Sequence, residues 1–377
     1  MTLGCYPMAV PLSTTPRADG FAMPAEWAPQ AACWMAWPER PDTWRLGARP
    51  AQAAFATVAN VVAEHEPVTV CVSHQALAQA RRMLSGGVRV IEMTTNDAWM
   101  RDIGPTFVCN ARHEIRAVDW VFNAWGGHHG GLYSSWDADD QVASKIAEIE
   151  RVAWYRAPFV MEGGAIHVDG EGTCLTTEQC LLNPNRNPDL TRTELDNALR
   201  EYLGAETVVW LGEGIHDDET NGHVDNLCCF LRPGVVALAT CANPADPQYA
   251  VSADALARLK VARDARGRAL EVVEVPVPRT PLSITAAESN GIESVQGTRP
   301  RAAGTRLAAS YINFLLVNGG VIVPQFDDPH DARAIAILEE QFPERKVHPI
   351  SSREILLGGG NVHCITQQQP RGHARSP

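Results

Sequence analysis

A cysteine near the carboxyl end of the chain stands in a sequence that suits a nucleophile. Cys364 follows three glycines in the segment GGGNVHC. Only a few per cent of an unperturbed thiol is ionised at neutral pH, although the thiolate is the reactive form. Neighbouring carboxylates would raise the pKa of such a thiol further, whereas a protonated His223 or a bound guanidinium would lower it. A cationic substrate would therefore help to activate its own nucleophile.

Acidic residues and one histidine collect in segments that each precede a predicted β-hairpin. These segments are NDAWMRDIGP, FVMEGGAIH and GIHDDETNGHVD, and they contain Asp97, Asp102, Glu162, Asp217, Asp218, Glu219, His223 and Asp225. A guanidinium is planar and always charged, and it offers five N–H donors in a fixed fork. Facing carboxylates are the groups that can hold it away from water. The segments therefore indicate a pocket for a small guanidinium compound.

Four stretches of the chain show the same predicted order, which is a β-hairpin, a helix and a third strand. The hairpins are predicted at 105–122, 165–182, 224–242 and 310–327, the helices around 139–150, 190–204, 252–263 and 332–342, and the third strands at 152–156, 207–211, 270–277 and 346–350. The turns DGEG, RPG and NGG between β-branched or aromatic runs predict the hairpins. Apolar residues spaced by three and four predict the helices.

The two ends of the chain supply parts of a fifth such unit. The segment ACWMAW predicts a strand that is followed by helices and further strands, and GGGNVHCITQQQP predicts a last strand without a helix. Modules that cannot bury both faces alone must pack against their siblings. We therefore expect an α/β fold of five modules that close a ring, in which the segments before the hairpins meet at one end. A single doubly wound sheet is the alternative.

Composition limits the classes of partner. The 377 residues carry 44 acidic and 32 basic side chains, a formal net charge of −12, without a block of Lys and Arg. This balance disfavours nucleic acids and anionic membranes as partners. No stretch reaches the ~18–20 apolar residues that a membrane span needs, and the amino-terminal sequence does not resemble a signal peptide.

The cysteines and the chain ends support further expectations. Ten scattered cysteines without a CxxC pair indicate a reducing, cytoplasmic location and no zinc knuckle. His128 and His129 lie between glycines without an evident third ligand, so we expect a loop there and no metal site. We treat residues 1–377 as one catalytic domain, with poorly ordered ends at roughly 1–20 and 371–377.

Six motifs resemble the agmatine deiminases of the guanidino-group-modifying superfamily. They are WPERPDTWR, NDAWMRDIGP, MEGGAIH, EGIHDDETNGHVDN, RLAASYINF and GGGNVHCITQQQP, and they span nearly the whole chain in the expected order. The resemblance implies a five-module α/β propeller of pseudo-fivefold ββαβ repeats around a central active-site pore. It further implies a homo-oligomer, a dimer or a tetramer, that needs neither cofactor nor metal.

The resemblance also implies residue roles. Cys364 would attack the guanidinium carbon, and His223 would act first as general acid and then as general base. Glu162 would orient His223 or the substrate. The substrate-binding residues would be Asp97, Asp225 and Glu219, of which the two aspartates would clamp the guanidinium. The implied reaction converts agmatine to N-carbamoylputrescine and ammonia through an S-amidino-cysteine, or thiouronium, intermediate, on the route to putrescine.

Three rival functions differ in their demands on the sequence. A deiminase of free or peptidyl arginine would need a cationic group for a substrate carboxylate, and the motifs offer only Arg101 nearby. A propeller used as a binding scaffold would not need Cys, His and carboxylates at equivalent positions. A papain-like protease would place its cysteine before its histidine, whereas here His223 precedes Cys364.

Overall fold

The computed structural model describes residues 11–374 of the chain. Its strands are β1 Phe21–Ala22, β2 Gln30–Ala36, β3 Val68–Val72, β4 Val88–Glu92, β5 Thr106–Asn110, β6 Ile115–Val121, β7 Trp154–Val160, β8 His167–Val168, β9 Thr173–Thr177, β10 Thr207–Leu211, β11 Cys228–Arg232, β12 Val235–Thr240, β13 Glu271–Pro276, β14 Leu315–Val317, β15 Gly320–Gln325, β16 Lys346–Ser351 and β17 Thr366–Pro370. The predicted poor order at 1–10 and 375–377 concerns residues that lie outside the described part.

Helices alternate with these strands. They are α1 Arg49–Val62, α2 Leu77–Met83, α3 Met100–Ile103, α4 Val142–Glu150, α5 Glu178–Leu181, α6 Arg192–Leu203, α7 Val224–Leu227, α8 Gln248–Val261, α9 Ala286–Ser289, α10 Asp331–Gln341 and α11 Arg353–Leu356. Short 3₁₀ turns occupy Gly127–His129, Asp139–Gln141 and Gly163–Ala165. No helix within residues 11–374 is long and apolar enough to cross a membrane.

Five separate sheets repeat one pattern of connections. Their strand orders are β1-β5-β6-β7, β8-β9-β10, β11-β12-β13, β14-β15-β16 and β17-β2-β3-β4. Each contains an antiparallel pair followed by a parallel third strand, and a helix crosses between the second and third strands of the unit. These crossover helices are α4, α6, α8, α10 and α1. The α/β class and the repeated unit are therefore confirmed.

The fifth sheet joins the two ends of the chain. Strand β17 pairs antiparallel with β2, with Thr366 opposite Met35 and Gln367 opposite Trp34. The prediction that the ends complete one module is therefore confirmed. The first described residues are also attached, since Leu12 bridges Tyr155 and His373 bridges Glu114. The poor order expected at 11–20 and 371–374 stays a prediction.

Turn and cap chemistry explains the local structure. Gly170, Gly234 and Gly319 have φ values of 71°, 77° and 73°, a left-handed conformation in which glycine has no steric cost. They lie in the three turns that the sequence predicted. Helix α6 begins with a capping box in which Thr191 and Glu194 each accept from the other's backbone N–H.

The predicted hairpins begin too early in two of the modules. The segment 224–227 forms helix α7, and 310–314 precedes β14 as irregular structure. Apolar residues fill these segments, so they look like strand in the sequence. The polar side chains among them include Asp225 and Asn313, which both contact Cys364.

Candidate active site

The functional side chains come from turns that precede the first strand of each hairpin. Asp102 lies in α3 before β5, and Glu162 precedes the 3₁₀ turn before β8. His223 is the N-cap residue of α7 before β11. Asn313 precedes β14, and Cys364 precedes β17. Each of the five modules therefore contributes one of these positions.

Cys364 lies at the floor of a narrow cleft. The cleft is lined by Trp99, Asp102, Trp125, Leu132, Thr220, Gly358, Gly359, Gly360 and Cys364. The Cys364 side chain is buried, and its Sγ accepts a hydrogen bond of 3.2 Å from Asn313 Nδ2. Burial, Asp225 and Asp102 hold the pKa of the Cys364 thiol well above its usual value. In the empty site the thiol form therefore prevails.

Asp225 presents one free carboxylate oxygen beside the cysteine. Its Oδ2 lies 3.6 Å from Cys364 Sγ and accepts a hydrogen bond of 2.8 Å from His363 Nδ1. Its Oδ1 is buried and has no hydrogen-bond partner among the described residues. Burial would raise the pKa of Asp225, but His363, His223 and Arg101 outweigh it and keep the carboxyl ionised. An unpaired buried carboxylate oxygen is an expensive group that a cationic ligand would satisfy.

His223 lies between two carboxylates. Its Nδ1 is 3.9 Å from Asp102 Oδ1 and its Nε2 is 3.7 Å from Glu162 Oε2. Both are ion-pair distances, and neither ring nitrogen makes a hydrogen bond within residues 11–374. Burial would lower the pKa of His223, but the carboxylates, Asp102 first, raise it well above 6.5. The ring is therefore an imidazolium with protons available to a substrate.

A glycine makes room for this histidine. A Cβ on Gly164 would lie 2.5 Å from His223 Nδ1 and 3.1 Å from Asp225 Oδ2. The backbone N–H of Gly164 instead donates a hydrogen bond of 2.9 Å to Asp102 Oδ1. The segment MEGG thus needs its second glycine at this point for close approach.

Glu162 is fixed by an arginine that sequence analysis missed. Arg186 Nε donates to Glu162 Oε1 at 2.6 Å, and both side chains are completely buried. The other guanidinium nitrogens donate to the carbonyl oxygens of Trp125 and Thr220. Burial would raise the pKa of Glu162, but Arg186 and His223 lower it. The only available signal was a lone arginine in NPNRNP just after a predicted strand.

The structure places Asp102, and not Asp97, in the cleft of Cys364. Asp97 accepts hydrogen bonds from Thr43, Trp44 and Trp99, and it is absent from the residues that line the cleft. Asp97 lines a small pocket that shares Trp99, Trp125 and Leu132 with the cleft, and its clamping role stays a prediction. The helical turn α3 separates the two aspartates and directs Asp102 inward, where burial raises its pKa to about 6. Asp97 instead holds Trp99, a wall of the cleft.

The other acidic candidates, Glu219, Asp218 and Asp217, do not line the cleft of Cys364. Glu219 pairs with Arg301 through contacts of 2.9 and 3.0 Å, beside the glycines of the cleft. Asp218 accepts from the backbone N–H of His223 at 3.1 Å and so fixes that loop. Asp217 lies 3.6 Å from His216 and is half exposed, outside the cleft.

One further set of side chains near the cleft has the composition of a metal site. Ligand atoms of Glu162, Cys180 and His223 lie within 4.8 Å of one another. Glu162 is already paired with Arg186, and an imidazolium has no lone pair for a metal. The set therefore does not favour a metal ion. His128, in the pair discounted as a metal site, packs its ring against Trp136 at 4.9 Å.

Comparison with known proteins accounts for this constellation. The model of the Porphyromonas-type peptidyl-arginine deiminase family matches residues 22–370. The chain belongs to this family. It is 57% identical over 361 residues to the agmatine deiminase of Ectopseudomonas mendocina (strain ymp), covering 95% of this chain and 98% of the relative. It is also 57% identical to that of Pseudomonas aeruginosa (strain LESB58), with the same coverage.

Solved structures of the family show the same architecture. The agmatine deiminase of Enterococcus faecalis superposes with a TM-score of 0.94 at 48% identity, covering 96% of this chain and 98% of that one. A substrate-bound agmatine deiminase of C. jejuni superposes with a TM-score of 0.80 at 27% identity, covering 94% and 97%. The family resemblance and the α/β, propeller-like fold class are thereby confirmed, whereas the central pore stays a prediction.

Proposed function

We propose that this protein hydrolyses agmatine to N-carbamoylputrescine and ammonia through an S-amidino adduct on Cys364. The observation that carries the proposal is the identity of 57% over 95% of the chain to relatives named agmatine deiminase. The cleft supports it because a buried thiol, an imidazolium and two carboxylates converge there. The route would supply a precursor of putrescine.

The guanidinium would bind between Asp102 and the free Oδ1 of Asp225. Its planar N–H donors would bond to both carboxylates, and Trp99 and Trp125 line the cleft around it. The bound positive charge lowers the pKa of Cys364, and the thiol proton leaves to solvent. The thiolate then forms an S–C bond to the guanidinium carbon.

His223 would move the protons of both half-reactions. The imidazolium donates a proton to the departing nitrogen, the C–N bond breaks, and ammonia leaves a thiouronium on Cys364. Neutral His223 then removes a proton from water while the resulting hydroxide attacks the same carbon. The C–S bond breaks, the hydroxyl proton passes to the departing thiolate, and the ureido product is released. Glu162, held by Arg186, would keep His223 oriented.

The alternative substrate, free or peptidyl arginine, is disfavoured by the place of Arg101. Its guanidinium lies beneath the cleft and donates to Gln368 Oε1 at 2.7 Å and to the His363 carbonyl oxygen at 3.3 Å. It therefore cannot receive a substrate carboxylate. Agmatine lacks that carboxylate and needs no such partner.

A colorimetric assay for ureido product tests this assignment. With purified protein, we expect product from agmatine and none above background from free arginine or benzoyl-arginine. Turnover of an arginine substrate at a similar kcat/KM would contradict the substrate assignment. If none of the three substrates gives ureido product, the enzymatic proposal is wrong and a binding scaffold is favoured.

We further propose that the protein is cytoplasmic and assembles into a homo-oligomer. Nine cysteines of the described part are free of disulfides, which supports a reducing, cytoplasmic compartment. Assembly into a homo-oligomer, a dimer or a tetramer, rests on the family resemblance, and sedimentation velocity would measure it.

A further inference from the structure

A cluster of two histidines and a glutamate lies apart from the cleft of Cys364. Glu64 and His65 follow the end of α1, and His348 lies in β16. The Nε2 atoms of the two histidines are 2.8 Å apart, and ligand atoms of all three side chains lie within 4.8 Å of one another. We propose that Glu64, His65 and His348 bind a divalent transition-metal ion of the Zn²⁺ or Ni²⁺ class.

The contacts of His65 prepare it as a ligand. Its Nδ1 lies 3.1 Å from the carbonyl oxygen of Asn318. A carbonyl only accepts, so Nδ1 carries the proton and the Nε2 lone pair faces His348. Histidine ligands of metals commonly donate their second N–H to such a carbonyl, which fixes the ring and its tautomer. Without a metal, the Nε2–H of His348 donates to that lone pair.

His348 presents its Nε2 to the same point, 2.8 Å from the Nε2 of His65. When its Nε2 binds a metal, the ring proton shifts to Nδ1 through solvent and no net charge change is needed. Glu64 is exposed and free to turn, so its carboxylate supplies a third ligand and partly neutralises the ion.

The geometry requires only a small adjustment. Tetrahedral bonds of about 2.0–2.1 Å between zinc and nitrogen place two ligand nitrogens about 3.3 Å apart. The rings would therefore separate by about half an ångström. Gly320 leaves the space for His65, because a Cβ there would lie 2.9 Å from its Cε1 and Nε2 atoms. Water would complete the tetrahedron.

A metal at this point would join two modules. Helix α1 belongs to the module that closes the chain, and β16 belongs to the module before it. The two histidines are separated by 283 residues in the sequence. A ligand that binds only the folded chain stabilises it. The bound ion is therefore expected to raise the melting temperature.

Calorimetric titration of untagged protein with ZnCl₂ and NiCl₂ tests the site. We expect one ion per chain, affinity at least about tenfold weaker in His348→Gln, and a Zn²⁺-dependent rise in Tm that this variant loses. Glu64→Gln should weaken binding less, whereas His128→Gln should bind as the wild type does. Cys180→Ser serves as a second control, because it would lose the ion if the metal lay beside Glu162.

Three outcomes would overturn the metal proposal. They are no binding up to millimolar metal, equal affinity in the wild type and His348→Gln, or loss of the ion in Cys180→Ser alone.

A second, independent observation lies beneath the cleft. His363 Nδ1 is 2.8 Å from Asp225 Oδ2, and His363 Nε2 is 2.7 Å from Glu26 Oε1. Arg101 Nη1 lies 3.4 Å from the same Glu26 oxygen, and His167 Nε2 lies 3.6 Å from Glu26 Oε2. All five side chains are buried.

This arrangement determines the charge on His363. A carboxylate accepts hydrogen bonds, so a ring with carboxylates at both nitrogens donates from both and is an imidazolium. Burial and Arg101 would lower the pKa of His363, but Glu26 and Asp225 raise it. The cation occupies Asp225 Oδ2 and leaves Oδ1 free.

The geometry points to Glu26 and His363 as positioning residues that orient Asp225 for the guanidinium. This inference rests on the proposed function. Removing the charge of Glu26 would release His363 to neutral form, and Asp225 would lose a strong donor and its fixed orientation. The loss should weaken substrate binding more than it slows the chemical steps, because Asp225 would contact the guanidinium.

Steady-state kinetics of Glu26→Gln test this role. We expect KM for agmatine to rise about tenfold or more, with a smaller fall in kcat and an unchanged circular dichroism spectrum. Glu66→Gln is the matched control, because Glu66 is also buried but accepts from the backbone N–H of Asn318 instead. If both variants keep the wild-type KM, the positioning role is wrong. If the wild type itself does not turn over agmatine, the proposed function fails first.

Discussion

Replacing Cys364 by Ala is expected to abolish ureido formation from agmatine, with kcat reduced by at least about 10⁴-fold. The thiol is the only nucleophile of its kind among the residues that line the cleft, and no neighbouring side chain can form the S–C bond in its place. The protein should still bind agmatine, because Asp102 and Asp225 keep their carboxylates. The colorimetric assay measures the loss, and calorimetry measures the binding.

A matched cysteine separates this effect from general thiol chemistry. Cys241 follows β12 outside the cleft, so Cys241→Ala should keep full activity. Mass spectrometry of wild-type protein quenched during turnover should find an N-(4-aminobutyl)amidino group on the peptide that contains Cys364, because only ammonia has left the substrate at that stage. Substantial activity in Cys364→Ala would rule out the covalent route.

Replacing His223 by Gln is expected to reduce kcat by about 10²–10⁴-fold, the usual contribution of a general acid and base. The glutamine keeps a polar side chain of similar reach but cannot transfer a proton. Ammonia loss and thiouronium hydrolysis both need that transfer, so both half-reactions should slow. Rapid-quench kinetics with agmatine measure each half-reaction separately.

A histidine elsewhere in the fold provides the control for this variant. His330 precedes α10, and its Nδ1 contacts the carbonyl oxygen of Val277 at 2.8 Å, so His330→Gln should retain activity. A His223→Gln enzyme with wild-type kcat would show that another group moves the protons. An effect on KM alone would assign His223 to binding instead.

The sequence predicts those parts of the fold that depend on local chemistry. Turns such as the one at Gly234 indicate hairpins, and the spacing of apolar residues indicates helices, so the repeated unit follows from short segments. The pairing of β17 with β2 could also be predicted from the sequence. The amino-terminal stretch supplied a strand and helices without a hairpin, and the carboxyl-terminal stretch supplied a strand without a helix. Cys364 and His223 could be selected because few other residues offer their chemistry in such a context.

The contacts between side chains of distant segments could not be predicted from the sequence. Asp97 and Asp102 share one segment, and only the helical turn between them decides which enters the cleft. Arg186 reaches Glu162 from a loop whose sequence resembles any Asn-Pro turn. The contact of Glu26 with His363 spans 337 residues, and no local pattern can indicate a pair so far apart.

The junction of β17 with β2 has a consequence for the order in which the protein matures during synthesis. The ribosome releases β2 long before its partner β17 and the adjoining nucleophile, since Trp34 of β2 and Gln369 of β17 are 335 residues apart. Until then one edge of β2 is unpaired, and side chains that the folded protein buries, such as Trp34, are exposed. Nascent chains can aggregate through such an exposed strand edge. A prematurely terminated product would thus carry the acidic pocket without its thiol. Release of the segment that contains Cys364 and β17 both closes that edge and supplies the reactive group.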